Sequence, residues 1–378
     1  MVFRVETWLM GLAILASLSI FWSIDWRVSL YRSVHLWIGL GVFFAMRDFP
    51  NAGRWFASGC IAALILQSGI GIWEFINQTT ILTLPLSLDW PGVLFPVTKG
   101  ASVVETADGV RWLRAYGTLP HPNLLGGFIF TMLSAPVLIL LTRKTHLVAT
   151  LSVIIMAVIL LAITFSRSAW LGVGILFGIL VLNRKSFMKI RFRMLFFVII
   201  GIFILISLSL SPLVFPRLGV SETDTEQVSI FTRHWLVERT WELIQERPVF
   251  GTGIGTYPIA LSKHVEPHFG IEPVHNVLLL AVEELGIFGV VCIFFIGITI
   301  TTKILFDLHL FPSFRKNEPN GVLITPKPNV VVFSGTLIGI LVICGFDHYF
   351  WTLAPGRLMF FTVLGIWARD GIQNEYRH

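Results

Sequence analysis

Long apolar runs joined by short basic loops make up most of this chain, and one polar stretch, Pro212 to His275, breaks the rhythm. Ten runs read as spans: Trp8–Ile24, Val34–Met46, Trp55–Phe75, Leu124–Leu141, Leu147–Phe165, Ala169–Leu182, Leu195–Leu210, Val277–Ile304, Val330–Phe346 and Pro355–Ala368. Most are near the roughly 17–25 residues that a helix needs to cross a bilayer. The second and the last are short. Val277–Ile304 is long, and the pattern predicts a surface half-turn that passes Gly286 before crossing. The expected fold class is an all-α polytopic membrane protein with about ten transmembrane helices. It forms a single integral membrane domain over 1–378 with a long, partly helical outer loop.

Inside the polar stretch, Ser229 to Glu246 has the period of an amphipathic helix, with Ile230, Trp235, Leu236, Trp241 and Ile244 as its apolar members. Two tryptophans suit a helix lying at the headgroup level. Arg247-Pro248 ends it, and Gly251-Thr252-Gly253-Ile254-Gly255 follows as a flexible link. A second loop, Asn77 to Asn123, is rich in β-branched residues, Pro and Gly and has no helical period.

Composition sharpens the membrane reading. The chain is 55% hydrophobic and 13% charged, about half the charge of an ordinary globular domain. The net charge of +6 is therefore read as an orientation signal and not as nucleic-acid binding. The Asn183–Met194 loop carries Arg184, Lys185, Lys189, Arg191 and Arg193, which places it in the cytoplasm. Counting outward puts Arg143 and Lys144, Arg47 and Arg54, and Lys303, Arg315, Lys316 and Lys327 on the same side, with both termini. The first run follows Arg4 without an A-x-A-like exit and is expected to remain as a span. The outer face then collects the 77–123 loop, the turn Ser166-Arg167-Ser168, the 212–275 loop, and Phe346-Asp347-His348-Tyr349. Cys60, Cys292 and Cys344 lie in apolar runs without C-x-x-C spacing and read as packing residues.

Most of the remaining polar residues fall on that outer face. Arg167 sits in a turn too tight to let its guanidinium travel, which suits an anion site; a snorkelling anchor is the alternative. Arg233 and Arg239 lie six residues apart on the loop helix and point to different faces, and either one alone could be a solvated charge. Asn276 is a natural N-cap for the run that follows it. His275 precedes that helix, whose positive dipole end favours a neutral imidazole able to take a proton from a hydroxyl. Asn123 is expected to cap the helix after His121-Pro122, with Gly126 and Gly127 allowing close helix approach. Asp347, His348 and Arg357 flank the last outer turn as a polar cluster in need of partners. His264, His268 and His275, with Glu266 and Glu272, lack metal-ligand spacing because Pro267 and Pro273 break the segment. Glu222, Asp224 and Glu226 read as a solvated loop. Gly251, Gly253 and Gly255 make no nucleotide fingerprint, because no strand precedes them.

Four ordered stretches resemble the O-antigen ligase and polymerase family of bacterial envelope glycosyltransferases. They are Pro120-His121-Pro122-Asn123-Leu124-Leu125-Gly126-Gly127; Ser166-Arg167-Ser168-Ala169-Trp170-Leu171-Gly172; Arg233 with Trp241-Glu242-Leu243-Ile244 and Pro248-Val249-Phe250-Gly251-Thr252-Gly253; and His275-Asn276-Val277-Leu278-Leu279 with Glu284-Leu285-Gly286. The likeness covers Leu119 to Gly289, and the family commonly has more spans than the ten read here. The resemblance implies the membrane glycosyltransferase C-type fold in a bacterial plasma membrane. It implies transfer of a glycan from an undecaprenyl-diphosphate-type carrier to a lipid, polysaccharide or protein acceptor on the outer face. It also implies that Arg167 and Arg233 contact the diphosphate and that His275 acts on the acceptor hydroxyl, with no metal and no cofactor. Asn276, Arg239, His121, Asn123, Asp347, His348 and Arg357 are the further substrate-binding candidates. The competing functions are a transporter or flippase for a lipid-linked glycan and a non-catalytic scaffold. Transporters place charge at the bilayer midplane in broken helices, whereas here it gathers at the outer edge.

Overall fold

The computed structural model describes residues 4–81, 93–143, 146–220, 223–264, 271–308 and 325–375. Lys144, Glu222, Glu266, Pro267, His268, Arg315 and Lys316, which entered the sequence argument, lie outside them.

The chain is mostly helical. In order it forms α1 (Val5–Leu18), α2 (Trp26–Asp48), α3 (Ala52–Asn77), strands β1 (Val103–Glu105) and β2 (Arg111–Leu113), α4 (Pro122–Met132), α5 (Ser134–Thr142), α6 (Leu147–Ile163), α7 (Arg167–Leu182), α8 (Lys189–Ser209) and α9 (Ser211–Arg217). Then follow α10 (Asp224–Glu246), α11 (Tyr257–Ser262), α12 (Val277–Asp307), α13 (Pro328–Cys344), α14 (Tyr349–Thr352) and α15 (Ala354–Glu375). Five helical stretches are long and apolar enough to cross a membrane: Trp26–Asp48, Ala52–Asn77, Pro122–Thr142, Lys189–Ser209 and Val277–Asp307. Val5–Phe21, Leu147–Ile163, Arg167–Leu182 and Pro328–Cys344 are apolar but shorter, and α15 carries Arg357, Arg369 and Asp370. By length and composition, five of the ten expected spans meet the requirement among the described residues.

The 77–123 loop amends the all-α expectation. Its β-branched content forms an antiparallel hairpin that pairs Val103 with Leu113 and Glu105 with Arg111. The amphipathic helix also differs from its forecast. It begins at Asp224, and Asp224 and Glu226 occupy its first turn, where negative charge complements the helix dipole. Its buried face is Leu236, Thr240, Leu243 and Ile244, while Ile230 and Trp241 are exposed. The period was misjudged because Thr240 is polar. Its hydroxyl bonds the Tyr257 hydroxyl at 2.8 Å and so belongs to the core.

Two compact units are distinguished by their internal contacts. The first comprises Met1–Pro50, Phe231–Ile324 and Ile340–His378. Here α2 packs along α15 and α1 packs on α12, where Trp8 stacks on Phe295 with centroids 4.2 Å apart. Leu236, Leu243, Tyr257, Ala260, Leu261, Val274 and Leu280 form one apolar cluster. The second unit comprises Asn51–Ile230 and Thr325–Gly339. In it α3 packs on α6 and α4 on α7. Gly126 brings α4 so close to α7 that a Cβ would lie 2.8 Å from the Ser166 Cβ, as the Gly-Gly pair predicted.

In place of a half-turn that merely passes Gly286, α12 breaks at that residue, with φ 62° and ψ −157°. A broken helix leaves carbonyls without intrahelical partners. Here the glycine-rich link supplies them: Thr252 N–H donates to the Glu283 carbonyl and Gly253 N–H to the Glu284 carbonyl, both at 2.9 Å. Ile287 N–H completes the dock on the Pro248 carbonyl at 3.1 Å. The link expected to be flexible is thus pinned. A Cβ at Gly286 would collide with the Val249 carbonyl, and its dihedrals are open essentially to glycine alone. Gly286→Ala should therefore lose about 1–3 kcal/mol or more of stability, read as an early melting transition in detergent; an unchanged melting curve would contradict this account of the kink.

Candidate functional site

The polar residues of the first unit converge where α12 starts and α14 begins. Asn276 is the N-cap of α12: its Oδ1 accepts from the Leu279 N–H at 3.0 Å, and its Nδ2 donates to the Gly345 carbonyl at 3.2 Å. Both ends of that amide thus bond backbone. This cap fixes the residue before it, so His275 is held with Nδ1 3.5 Å from the Asp347 carboxylate and Nε2 4.0 Å from exposed Glu272. Asp347 is only 3% exposed, and its Oδ1 also accepts the His348 backbone N–H at 2.9 Å. The His348 ring lies 5.1 Å from the His275 ring, and its Nδ1 is 2.7 Å from the Thr352 hydroxyl.

Burial pushes His348 down to about 4, opposed by the Asp347 charge and assisted by His275, Arg32 and Arg233. Its neutral ring therefore resists protonation in the fold more than in the unfolded chain. The unfolded state takes up the proton first as pH falls below about 6.5, so stability drops from there toward pH 4. His348→Asn should flatten the melting temperature over that pH window; an unchanged slope would contradict the assignment.

Arg233 is half-buried on α10, nine residues into the helix. Its charge reaches the histidine cluster, since it acts on His348. Arg239 is not drawn in: it forms a 2.6 Å ion pair with Glu242 on the outer side of the helix, with both side chains at least a third exposed. Arg357 is 6% exposed, donating to the Trp351 carbonyl at 2.7 Å and lying 3.2 Å from His35 Nδ1. His275, Asp347 and His348 have potential ligand atoms all within 4.8 Å of one another. Tetrahedral zinc at about 2.0–2.1 Å from nitrogen would draw its ligand atoms closer than that.

Arg167 anchors the site of the second unit. Ser166 caps α7, and Phe165 before it has φ 49°, a left-handed conformation rare for a bulky residue. That turn delivers the Arg167 guanidinium to Glu226, with Nη1 3.2 Å from Oε2. The same Nη1 donates to the Arg217 carbonyl at 3.3 Å, and the Arg217 guanidinium pairs with the other Glu226 oxygen. A carboxylate thus bridges two arginines. Glu226 is 7% exposed, which corrects its reading as a solvated loop acid. Arg217 escaped the sequence reading because a lone charge after an apolar run looks like an edge marker.

The helix cap in the second unit also moves. His121, not Asn123, is the N-cap of α4, with Nδ1 accepting the Asn123 N–H at 3.0 Å. Pro122 takes the first helical position, which its fixed φ favours. Asn123 instead accepts from the buried Arg114 guanidinium at 2.5 Å. Arg114 further donates to the Thr164 carbonyl at 2.7 Å and the Ser102 hydroxyl at 2.8 Å. This network braces the turn before Arg167 and involves an arginine that the sequence reading passed over.

No curated protein matches the chain. Residues 151–294 match the family model Wzy_C, described as O-antigen ligase. The matched span runs from α6 through most of α12 and includes Arg167, Arg233 and His275; the 120–127 stretch lies before it. Over those residues the chain is similar to the O-antigen ligase family.

Proposed function

We propose that this protein is a membrane glycosyltransferase that moves a glycan from a polyprenyl-diphosphate carrier to an acceptor hydroxyl at the outer face of a bacterial plasma membrane. One observation carries the reading: His275, held by a capped helix start, lies beside a buried carboxylate. Asp347 faces Nδ1, which leaves Nε2 to accept a proton from the acceptor. The acceptor oxygen then attacks C1 of the donor sugar, the C1–O bond to phosphate breaks, and the electron pair leaves with the diphosphate. Asp347 stabilises the imidazolium that forms, as a buried carboxylate does in acid–base triads. A single displacement of this kind inverts the anomeric configuration. Arg167 and Arg233 are assigned to the diphosphate. The Glu226 carboxylate at Arg167 supports an anion-binding role there, and guanidinium geometry matches phosphate.

Vesicles containing the purified protein, a labelled polyprenyl-diphosphate glycan and hydroxyl-bearing acceptors test the proposal. The expected product is a glycan–acceptor bond with release of the carrier diphosphate. Movement of labelled carrier across the bilayer without a new glycosidic bond would replace the transferase by a flippase.

A further inference from the structure

A cavity in the first unit is lined by two guanidiniums, Arg32 from α2 and Arg357 from α15, with Glu284, Trp351, Thr352 and Gly255. Each arginine lies in the early turns of its helix. Arg32 donates to the Thr352 carbonyl, and Arg357 uses the Trp351 carbonyl and His35 Nδ1. These acceptors are neutral. The carboxylate of Glu284 lines the same cavity and its charge acts on both arginines, while its hydrogen bonds come from the Trp351 indole N–H at 2.9 Å and the Gly255 backbone N–H. Among the described residues, neither guanidinium has a carboxylate within ion-pair distance. A guanidinium carries five N–H donors, so most of those of Arg32 and Arg357 are left over. One carboxylate between two guanidiniums leaves the cavity net positive, with spare donors for a further anion.

The room for Arg32 is built in. Gly255 has φ 81°, and a side chain there would run into the Arg32 stem. The cavity also adjoins the histidine cluster: Thr352, whose carbonyl holds Arg32, has its hydroxyl 2.7 Å from His348 Nδ1.

We propose that this cavity is an anion pocket, in which Arg32 and Arg357 hold a phosphoryl group of a membrane-borne substrate. The pocket rests on the transferase reading for the source of that group, which is either the carrier diphosphate or a phosphate on a lipid acceptor. In both cases the ligand chemistry is a phosphate monoester or diphosphate at the membrane edge.

Binding to the purified full-length protein in nanodiscs separates the outcomes, with undecaprenyl diphosphate, undecaprenol and a phosphorylated glycolipid as probes. Wild type should bind a phosphate-bearing lipid tighter than undecaprenol. Arg32→Gln and Arg357→Gln should each erase roughly ten- to a hundredfold of that preference, and Arg32→Lys should restore part of it. Loss confined to undecaprenyl diphosphate names the carrier as the source, and loss confined to the glycolipid names the acceptor. Because Arg357 is buried, Arg32→Gln with a native circular-dichroism spectrum is the deciding variant. Unchanged phosphate preference in that variant overturns the pocket. The two proposals fail separately: a pocket with the expected preference in a protein that forms no glycosidic bond sinks the transferase reading alone, and transfer that is indifferent to Arg32 sinks the pocket alone.

Discussion

His275→Ala should lower the rate of glycan transfer by about a hundred- to ten-thousandfold, the usual contribution of a positioned general base. The protein should still insert, because the helix start that holds His275 is secured by Asn276, whose cap bonds run to Leu279 and Gly345 and not through the imidazole. Donor binding should likewise persist, since the base acts on the acceptor. Asp347→Asn is the more informative partner. It keeps the shape but removes the charge 3.5 Å from Nδ1, so it should depress kcat with little effect on KM. Transfer at wild-type rate in His275→Ala would end its role as base.

Arg167→Ala should cost about a thousandfold in transfer. A guanidinium about 4 Å from a phosphate contributes roughly 4 kcal/mol at an effective dielectric near 20, and losing it weakens the leaving group's stabilisation. Arg233→Ala is expected to act in the same direction. The geometry at Arg167 adds a finer test. Glu226 bridges Arg167 and Arg217, so an incoming diphosphate competes with a carboxylate already in place. Glu226→Gln should remove that competitor and lower the KM for the donor while Arg167→Ala raises it. Steady-state kinetics on the purified protein measures both; a raised KM in Glu226→Gln would mean that the carboxylate organises the arginines and does not compete with substrate.

Some of this was legible in the sequence for definite physical reasons. A surface half-turn passing Gly286 could be read because the apolar run Val277–Ile304 is longer than one crossing needs. Gly126 and Asn276 could be read because close approach and capping depend on one residue and its neighbours. The cap at His121 was missed although Pro122 signalled it, since the asparagine one step later is the more familiar capping residue. The arginine cluster at Glu226 and the cavity at Arg32 were not legible. Each depends on residues far apart in the chain, and each charge, taken singly, resembles the edge of a span. The hairpin in the 77–123 loop was visible only as β-branched composition, because strands of three residues are too short for alternation to register.

A single displacement by an acceptor hydroxyl that His275 activates must invert the donor sugar at C1. The anomeric configuration of the new bond tests it most directly, by NMR on product made from a donor of known configuration at C1. Inversion at C1, lost together with product in His275→Ala, is the predicted result. Retention of configuration, or carrier movement with no bond formed, would contradict the claim.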